Sequence, residues 1–318
     1  MSDGVKSRSA DEAVALYVLE VTGDAAGERL DKFLVRQRPE LGRQGARWLT
    51  EQGLVRVNGA RAVKARTLRE GERVEVFGEW GGAPSPEPQA PLTVVLERPE
   101  LVVVDKPAGQ PSAPLGARAA GTLAGALLGR YPEMAQVGYR AREPGLLHRL
   151  DTRTSGLLIA ARTPVAFAVL RDALRGEQLH KRYLAIVEGL GLPDFMEVDL
   201  PLAPDPSGSG LVIVADDDET PGARACFSEL RVVERRGRWA LVEVTASRAY
   251  RHQVRVHLAC SGWPIAGDLD YGGSVAHVLS GRHALHASHV GWEGSDQLPA
   301  FEVDSPLPAE LRALLDTG

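Results

Sequence analysis

The segment 146–163, LLHRLDTRTSGLLIAART, sets one carboxylate, Asp151, between His148-Arg149 and Thr152-Arg153, just ahead of the apolar run 157–161. A carboxylate in such company can serve chemistry as a nucleophile or base, provided a cation keeps it ionised where it is partly buried. It can also cap or turn the chain, because Asp, Ser and Thr bond nearby backbone amides. A third use is one half of a structural ion pair. The residue alone leaves all three open. Arg43, Arg47, Arg56, Arg61, Lys64, Arg66 and Arg69 crowd one short span with few acids before Glu70. Such a cluster either contacts phosphate or forms a solvated face.

Other chemistry-bearing types are less promising. His283, His286 and His289 are spaced by three. On a strand the middle one faces the opposite side, and on a helix the first and last do not converge, so no metal site is expected. Cys226 and Cys260 fit neither a disulfide framework nor a ligand set and read as small buried hydrophobes. There is no phosphate loop, no G-x-G-x-x-G and no thiolate cluster, so no cofactor is expected.

These residues need a scaffold. The chain has 318 residues, 44% hydrophobic and 25% charged, which suits one large or two ordinary packed domains rather than disorder. The net charge of −5 speaks against a nucleic-acid partner unless positive charge is concentrated locally. No apolar run approaches the roughly 18 residues that span a bilayer, so no membrane association is expected. The start, MSDGVKSRSADEAVAL, lacks a basic stretch followed by an apolar block, and the expected compartment is the cytoplasm.

Along the chain, residues 1–16 read as a flexible polar tail and residues 17–79 as a small α/β unit. GERLDKFLVRQ (27–37) puts Leu30, Phe33 and Leu34 on one helical face. RQGARWLTEQG (43–53) reads as a second helix stopped by Gly53. LVRVNGARAV alternates around Asn58-Gly59, a hairpin signal, and GERVEVF (71–77) reads as another strand. GGAPSPEPQAPL (81–92) lies in a span, 80–92, that reads as an extended linker. Residues 93–318 form one larger unit. Its strands (LTVVLE, LVVVDK, LLIAA, YLAIVEG, ACFSELRVVE, WALVEVTA) do not alternate regularly with helices (TLAGALLGRY, PVAFAVLRDALRGE, HQVRVHLACSG, PAELRALL). The expected class is α+β with a mixed, largely antiparallel sheet.

The order helix, helix, glycine, strand, VNG, strand resembles the S4 RNA-binding domain. That resemblance implies RNA contacts from the second helix and the following turn, here Arg43, Arg47, Arg56 and Lys64 as phosphate binders. Where a Ser-Arg pair often opens the second helix, this chain has Gly42-Arg43.

H-R-L-D-x-x-T-S-G-L-L resembles the signature of the RluA-type pseudouridine synthases. VVVDKPAGQPS (102–112), GTL (121–123), KRYLAIVEG (181–189), RHQVRVHLACSGWPIAGDLDYG (251–272), ALHASHVGW and FEVDSPLP agree with it in order. The resemblance covers residues 93–315. It implies a catalytic domain with a central cleft that isomerises uridine in structured RNA without a cofactor; separately, a monomer is expected. Asp151 would be the catalytic aspartate, Arg255 its guanidinium partner and Tyr183 the residue stacked on uracil. Arg149 would fill the space left by the everted base, the other reading being an ion pair with Glu143. His252 and Arg255, three apart on a helix, would share a face. His252 and His257 read as helix-face residues near the RNA groove. The family's G-R-T-H-Q-I-R stands here as A-Y-R-H-Q-V-R (249–255), which moves an RNA-contacting arginine to Arg251. Members with an S4 domain imply large-subunit ribosomal RNA as substrate, with transfer RNA as the alternative. Two other functions stay open: an inactive S4-tethered RNA binder, and a hydrolase using Asp151. Glycoside hydrolysis normally takes a second carboxylate, whereas Asp268 in GDLDYG reads as loop scaffolding.

Overall fold

The computed structural model describes residues 15–51, 53–63, 66–77, 83–114, 120–207, 209–216, 220–246 and 250–318. Most of the expected tail, 1–14, lies outside the described residues, as does Lys64. The chain divides into two compact units, with a boundary between Ala83 and Pro84.

In the smaller unit β1 (Tyr17–Glu20) precedes α1 (Leu30–Gln37) and α2 (Gly42–Glu51), followed by β2 (Val55–Val57), β3 (Ala60–Arg61) and β4 (Arg73–Val76). Leu30, Phe33 and Leu34 project from one side of α1 into a core with Leu49, Val55, Val57, Val74 and Val76. The strands run in the order β1-β4-β2-β3, with every pair antiparallel. Asn58 and Gly59 both take positive φ, 53° and 78°, as a two-residue hairpin between twisted strands requires.

The larger unit contains β5 (Thr93–Glu97), β6 (Leu101–Lys106), α3 (Leu123–Arg130), β7 (Ser155–Ala161), α4 (Pro164–Arg175), β8 (Leu179–Glu188) and β9 (Phe195–Asp199). There follow β10 (Leu202–Pro204), β11 (Val212–Val214), β12 (Phe227–Arg236), β13 (Trp239–Thr245), α5 (Gln253–Cys260), β14 (Leu285–Trp292), β15 (Phe301–Asp304) and α6 (Ala309–Leu315). A nine-stranded sheet runs β5-β6-β7-β14-β8-β13-β12-β9, with β15 on β14; β10 and β11 form a separate hairpin. β7 and β14 pair in parallel and the other pairs are antiparallel, so the sheet is the mixed, largely antiparallel one expected.

Both faces of the sheet's middle are covered. Val102 and Val104 of β6 enter one apolar cluster with Leu158, Leu258 and Leu311. Leu101 and Val103 enter another with Leu157, Ile159, Phe167 and Leu170. That is why β6 and β7 read as continuous apolar runs rather than alternating ones. α4 starts at Pro164, where the missing N–H costs nothing, behind a Thr163 side chain that accepts the Ala166 N–H.

The unit boundary falls inside the span read as a linker. From Pro84 that span belongs to the larger unit, and the Glu87 carboxylate accepts the Gly121 N–H at 3.0 and 2.9 Å. A carboxylate beside the amides that open α3 is held there rather than solvated. No helix among the described residues is long and apolar enough to cross a membrane.

Candidate active site

Asp151 sits on the loop that enters β7, and its backbone is pinned on both sides. Ser112 Oγ donates to Leu150 O at 2.7 Å and accepts the Leu150 N–H at 3.1 Å. Gly109 N–H donates to Thr152 O at 2.7 Å, from a residue whose φ of 89° suits glycine. Lys106, fully buried at the end of β6, donates through Nζ to Pro107 O (2.9 Å), Gln110 O (2.9 Å) and Thr152 O (3.4 Å). Burial pulls its ammonium down to about 7, helped by Arg282 and opposed by Asp151 and Asp105. Three carbonyl acceptors around one nitrogen favour the protonated form. The loop 107–112 is thus tied to the loop that carries Asp151.

β7 continues this placement. Gly156 has φ 116°, and a Cβ there would lie 2.2 Å from Ala287 O of β14, so only glycine lets the two strands close. Thr154 Oγ1 lies 2.8 Å from His283 Nε2, and Ser155 Oγ lies 2.9 Å from His286 Nδ1.

Arg255 reaches Asp151 from α5, 104 residues later. Its Nη1 donates to Asp151 Oδ2 at 3.1 Å. The rest of the guanidinium is committed elsewhere: Nε to Asp268 Oδ2 (2.7 Å), and Nη2 to Asp268 Oδ1 (2.6 Å) and Asp270 Oδ2 (2.9 Å). Its carbon lies 4.8 Å from the centre of the Tyr271 ring. Burial opposes its charge, but the Asp268 hydrogen bonds and the charges of Asp268 and Asp151 outweigh that and push its pKa up. Asp151 is a quarter exposed and Arg255 almost wholly buried, so the carboxylate can be reached from solvent and its partner cannot.

His252 does not share a helical face with Arg255. It is the N-cap residue of α5, in left-handed backbone with φ 56° and ψ 11°. It nevertheless reaches the same carboxylate, with Nε2 3.6 Å from Asp151 Oδ1, while Nδ1 lies 2.7 Å from the Tyr271 hydroxyl. Burial holds its imidazolium down to about 4, against the pull of Asp151. Tyr183, on β8, pairs with Ala287 of β14 and Val244 of β13 and is 5% exposed. Burial first, and the charge of Asp151 second, push its phenol above the ordinary range.

The structure therefore brings Asp151, Arg255 and His252 together. Arg149, half exposed, pairs with Glu143 at 2.9 Å, the arrangement weighed as its alternative. Arg251 is exposed and its guanidinium donates to Gly210 O. In the smaller unit, Arg43 and Arg47 are exposed on α2, Arg47 pairing with Glu51 at 2.8 Å, and Arg56 lies 4.8 Å from the Phe77 ring centre.

Three expectations need correction. His257 does not face a groove: it is fully buried, with Nδ1 2.9 Å from Ser228 Oγ and Nε2 3.2 Å from Leu200 O, because that side of α5 packs on β12. Cys226 is buried as expected, but Cys260, the last residue of α5, is exposed. The third correction is the place of His252 ahead of the helix, given above. Sequence reasoning missed Lys106 and Tyr271, and took Asp268 for loop scaffolding when its specific task is a bidentate grip on Arg255. The two acids spaced by two in GDLDYG were the available signal.

The sequence pattern of the RNA pseudouridylate synthase family matches residues 100–260, and that of the S4 domain matches residues 28–74. An uncharacterized RNA pseudouridine synthase of Chloroflexus aurantiacus is 34% identical over 307 residues, covering 94% of this chain and 92% of the relative. Ribosomal large subunit pseudouridine synthase D of Xanthomonas campestris is 32% identical over 308 residues, covering 93% and 90%. Among solved structures, human RNA pseudouridylate synthase domain containing 1 superposes with a TM-score of 0.55 at 23% identity, over 70% of this chain and 87% of that one, a likeness of fold. A matched family pattern across half the chain, and relatives of this identity along nearly all of it, make the chain a member of the RNA pseudouridylate synthases, isomerases of uridine in RNA, with an S4 domain.

Proposed function

We propose that this enzyme isomerises specific uridines of structured RNA, with Asp151 as the nucleophile, and that its substrate is large-subunit ribosomal RNA. The observation that carries the catalytic assignment is the 3.1 Å contact between Asp151 and the buried guanidinium of Arg255. Isomerisation breaks the bond from the sugar to uracil N1 and joins the same sugar carbon to uracil C5. N1 gains a proton, C5 loses one, and no outside group is consumed. A carboxylate hydrogen-bonded to a buried arginine is suited to begin that exchange. In this reading Tyr183 lies against the uracil and takes part in proton transfer at the ring. Everting the base from a stem costs a few kcal/mol, and Arg149, released from Glu143, fills the vacated stack. The S4 domain holds the RNA backbone through Arg43, Arg47, Arg56 and Lys64. Residues 17–79 and 93–318 are the working limits of the two domains. Support for the ribosomal substrate comes from relatives named for the large subunit, such as the one from Xanthomonas campestris.

The test is Asp151→Asn. The variant should fold, bind RNA and form no pseudouridine; product from it would refute the assignment. Chemical mapping of pseudouridine in total RNA, with and without the gene, identifies the substrate. A lost site in transfer RNA, with ribosomal RNA unchanged, would overturn the ribosomal reading.

A further inference from the structure

The Tyr271 hydroxyl accepts the backbone N–H of Val212, on β11, at 2.9 Å. Its own proton has one acceptor in reach among the described residues, His252 Nδ1 at 2.7 Å. With that proton donated to Nδ1, a neutral imidazole would carry its own N–H on Nε2. That N–H faces Asp151 Oδ1 at 3.6 Å, the oxygen that Arg255 does not hold. The Tyr271 ring stands edge-on to the imidazole, 5.7 Å between centres at 82°, which fixes the ring's plane as well as its tautomer. The histidine's left-handed backbone is costly for a side chain with a Cβ, and such strain gathers where a site needs a particular aim. The adjacent Gln253 side chain holds that bend by accepting the Tyr250 N–H at 2.9 Å and donating to Phe227 O at 2.8 Å and Ser228 Oγ at 3.0 Å.

We propose that His252 is a positioning residue: through a tautomer set by Tyr271 and Val212, it presents Nε2–H as the second donor to Asp151. This rests on the assignment of Asp151 made above. Arg255 and His252 then hold one oxygen each, which fixes the plane of the carboxylate and points the remaining lone pairs at the substrate. The 3.6 Å separation is longer than a hydrogen bond and closes when the base displaces solvent from the site. The groups facing His252 among the described residues are Asp151, Arg255, Arg251, Asp268, Tyr271 and His283. Their balance, with burial, keeps the ring neutral at physiological pH, so it donates without adding a charge. The β10–β11 hairpin thereby acquires a task, since its Val212 amide directs the relay that ends on the reacting carboxylate.

The experiment measures tritium release over a range of RNA concentrations up to saturation, using total RNA labelled at uracil C5 from cells lacking the gene. His252→Asn tolerates the left-handed backbone, but its amide reaches only the Nδ1 position. His252→Gln places an N–H near the Nε2 position. His252→Asn should lower kcat about 10- to 100-fold with KM unchanged, the worth of one hydrogen bond to a charged group. His252→Gln should recover most of the rate. Tyr271→Phe, which removes a single hydroxyl and keeps the ring, should give an intermediate loss of kcat and serves as the test if the asparagine variant fails to fold. Wild-type kcat in His252→Asn or in Tyr271→Phe would overturn the proposal. So would equal loss in the asparagine and glutamine variants, or a loss confined to KM. Asp151→Asn run alongside separates the two claims: if it is inactive, such a result removes only the role of His252, and if it is active the catalytic assignment falls first.

Discussion

Arg255 grips Asp268 with two hydrogen bonds, at 2.7 and 2.6 Å, and touches Asp151 with one, at 3.1 Å. The tighter contact is to the more deeply buried of the two acids. Asp268 is almost wholly buried and fixes the plane of the guanidinium, leaving one N–H aimed at Asp151, the proposed nucleophile. Asp268→Asn should therefore cost activity at a distance, lowering kcat by more than about tenfold with little change in KM. Removing one partner of a buried pair should also cost about 3–5 kcal/mol of stability. Single-turnover rates and urea unfolding of the variant check both, and full activity would mean that Arg255 is aimed by something else.

Lys106 joins the loop 107–112 to the chain beside Asp151 through three carbonyls. Lys106→Met keeps the volume and strips the donors. Thr152 O keeps the Gly109 N–H, but Pro107 O and Gln110 O lose the Nζ donor; a carbonyl shut away from water without a partner costs about 1–3 kcal/mol, so the urea midpoint should fall. At temperatures where the variant is folded, turnover should still be reduced because the Asp151 loop has lost its anchor.

Burial holds the imidazoles of His148 and His283 neutral, down to about 3 and about 2. An unfolded histidine takes its proton near pH 6.5. Below that pH the unfolded chain binds protons that the folded chain refuses, so stability falls as pH falls. The expected slope from these two groups is about 1.4 kcal/mol per pH unit each, starting near 6.5 and continuing through pH 5, above the carboxylate range. Urea unfolding between pH 7.5 and 5 should show this. His283→Gln should flatten the slope by about one proton, and an unchanged slope would mean that His283 titrates normally in the fold.

Arg43 and Arg47 are exposed on α2, with Arg47 drawn toward Glu51. Replacing both with alanine should weaken RNA binding and reduce the slope of log affinity against log salt by about one to two. Binding measured from 50 to 200 mM salt tests this. An unchanged slope would take α2 out of the RNA contact.

Much of the fold was legible because it is local. The spacing of Leu30, Phe33 and Leu34, the Asn58-Gly59 turn and the helix start at Pro164 each act within a few residues. β9, β10 and β11 were not legible: they have three to five residues, and Phe195, at the start of β9, is half exposed, so no periodic burial marks them. β1 was missed for a similar reason, a four-residue strand with only alternate positions partly covered. At the site, Asp151 and Arg255 could be paired in advance through the resemblance. What Asp268 and Tyr271 do could not be read, because a loop that curls back under a helix leaves no repeat in the chain. Cys260 and His257 changed places, exposed and buried, because which side of α5 meets β12 is settled by tertiary packing.

β14 runs between β7 and β8, so the strand that Asp151 introduces and the strand that bears Tyr183 have no hydrogen bonds to each other; both bond to β14. During synthesis, a nascent chain that has emerged only as far as residue 250 has neither this spacer nor α5. Arg255, which contacts Asp151, and β14 beyond it are translated a hundred or more residues after that acid. A half-made polypeptide therefore holds Asp151 without its contact to Arg255.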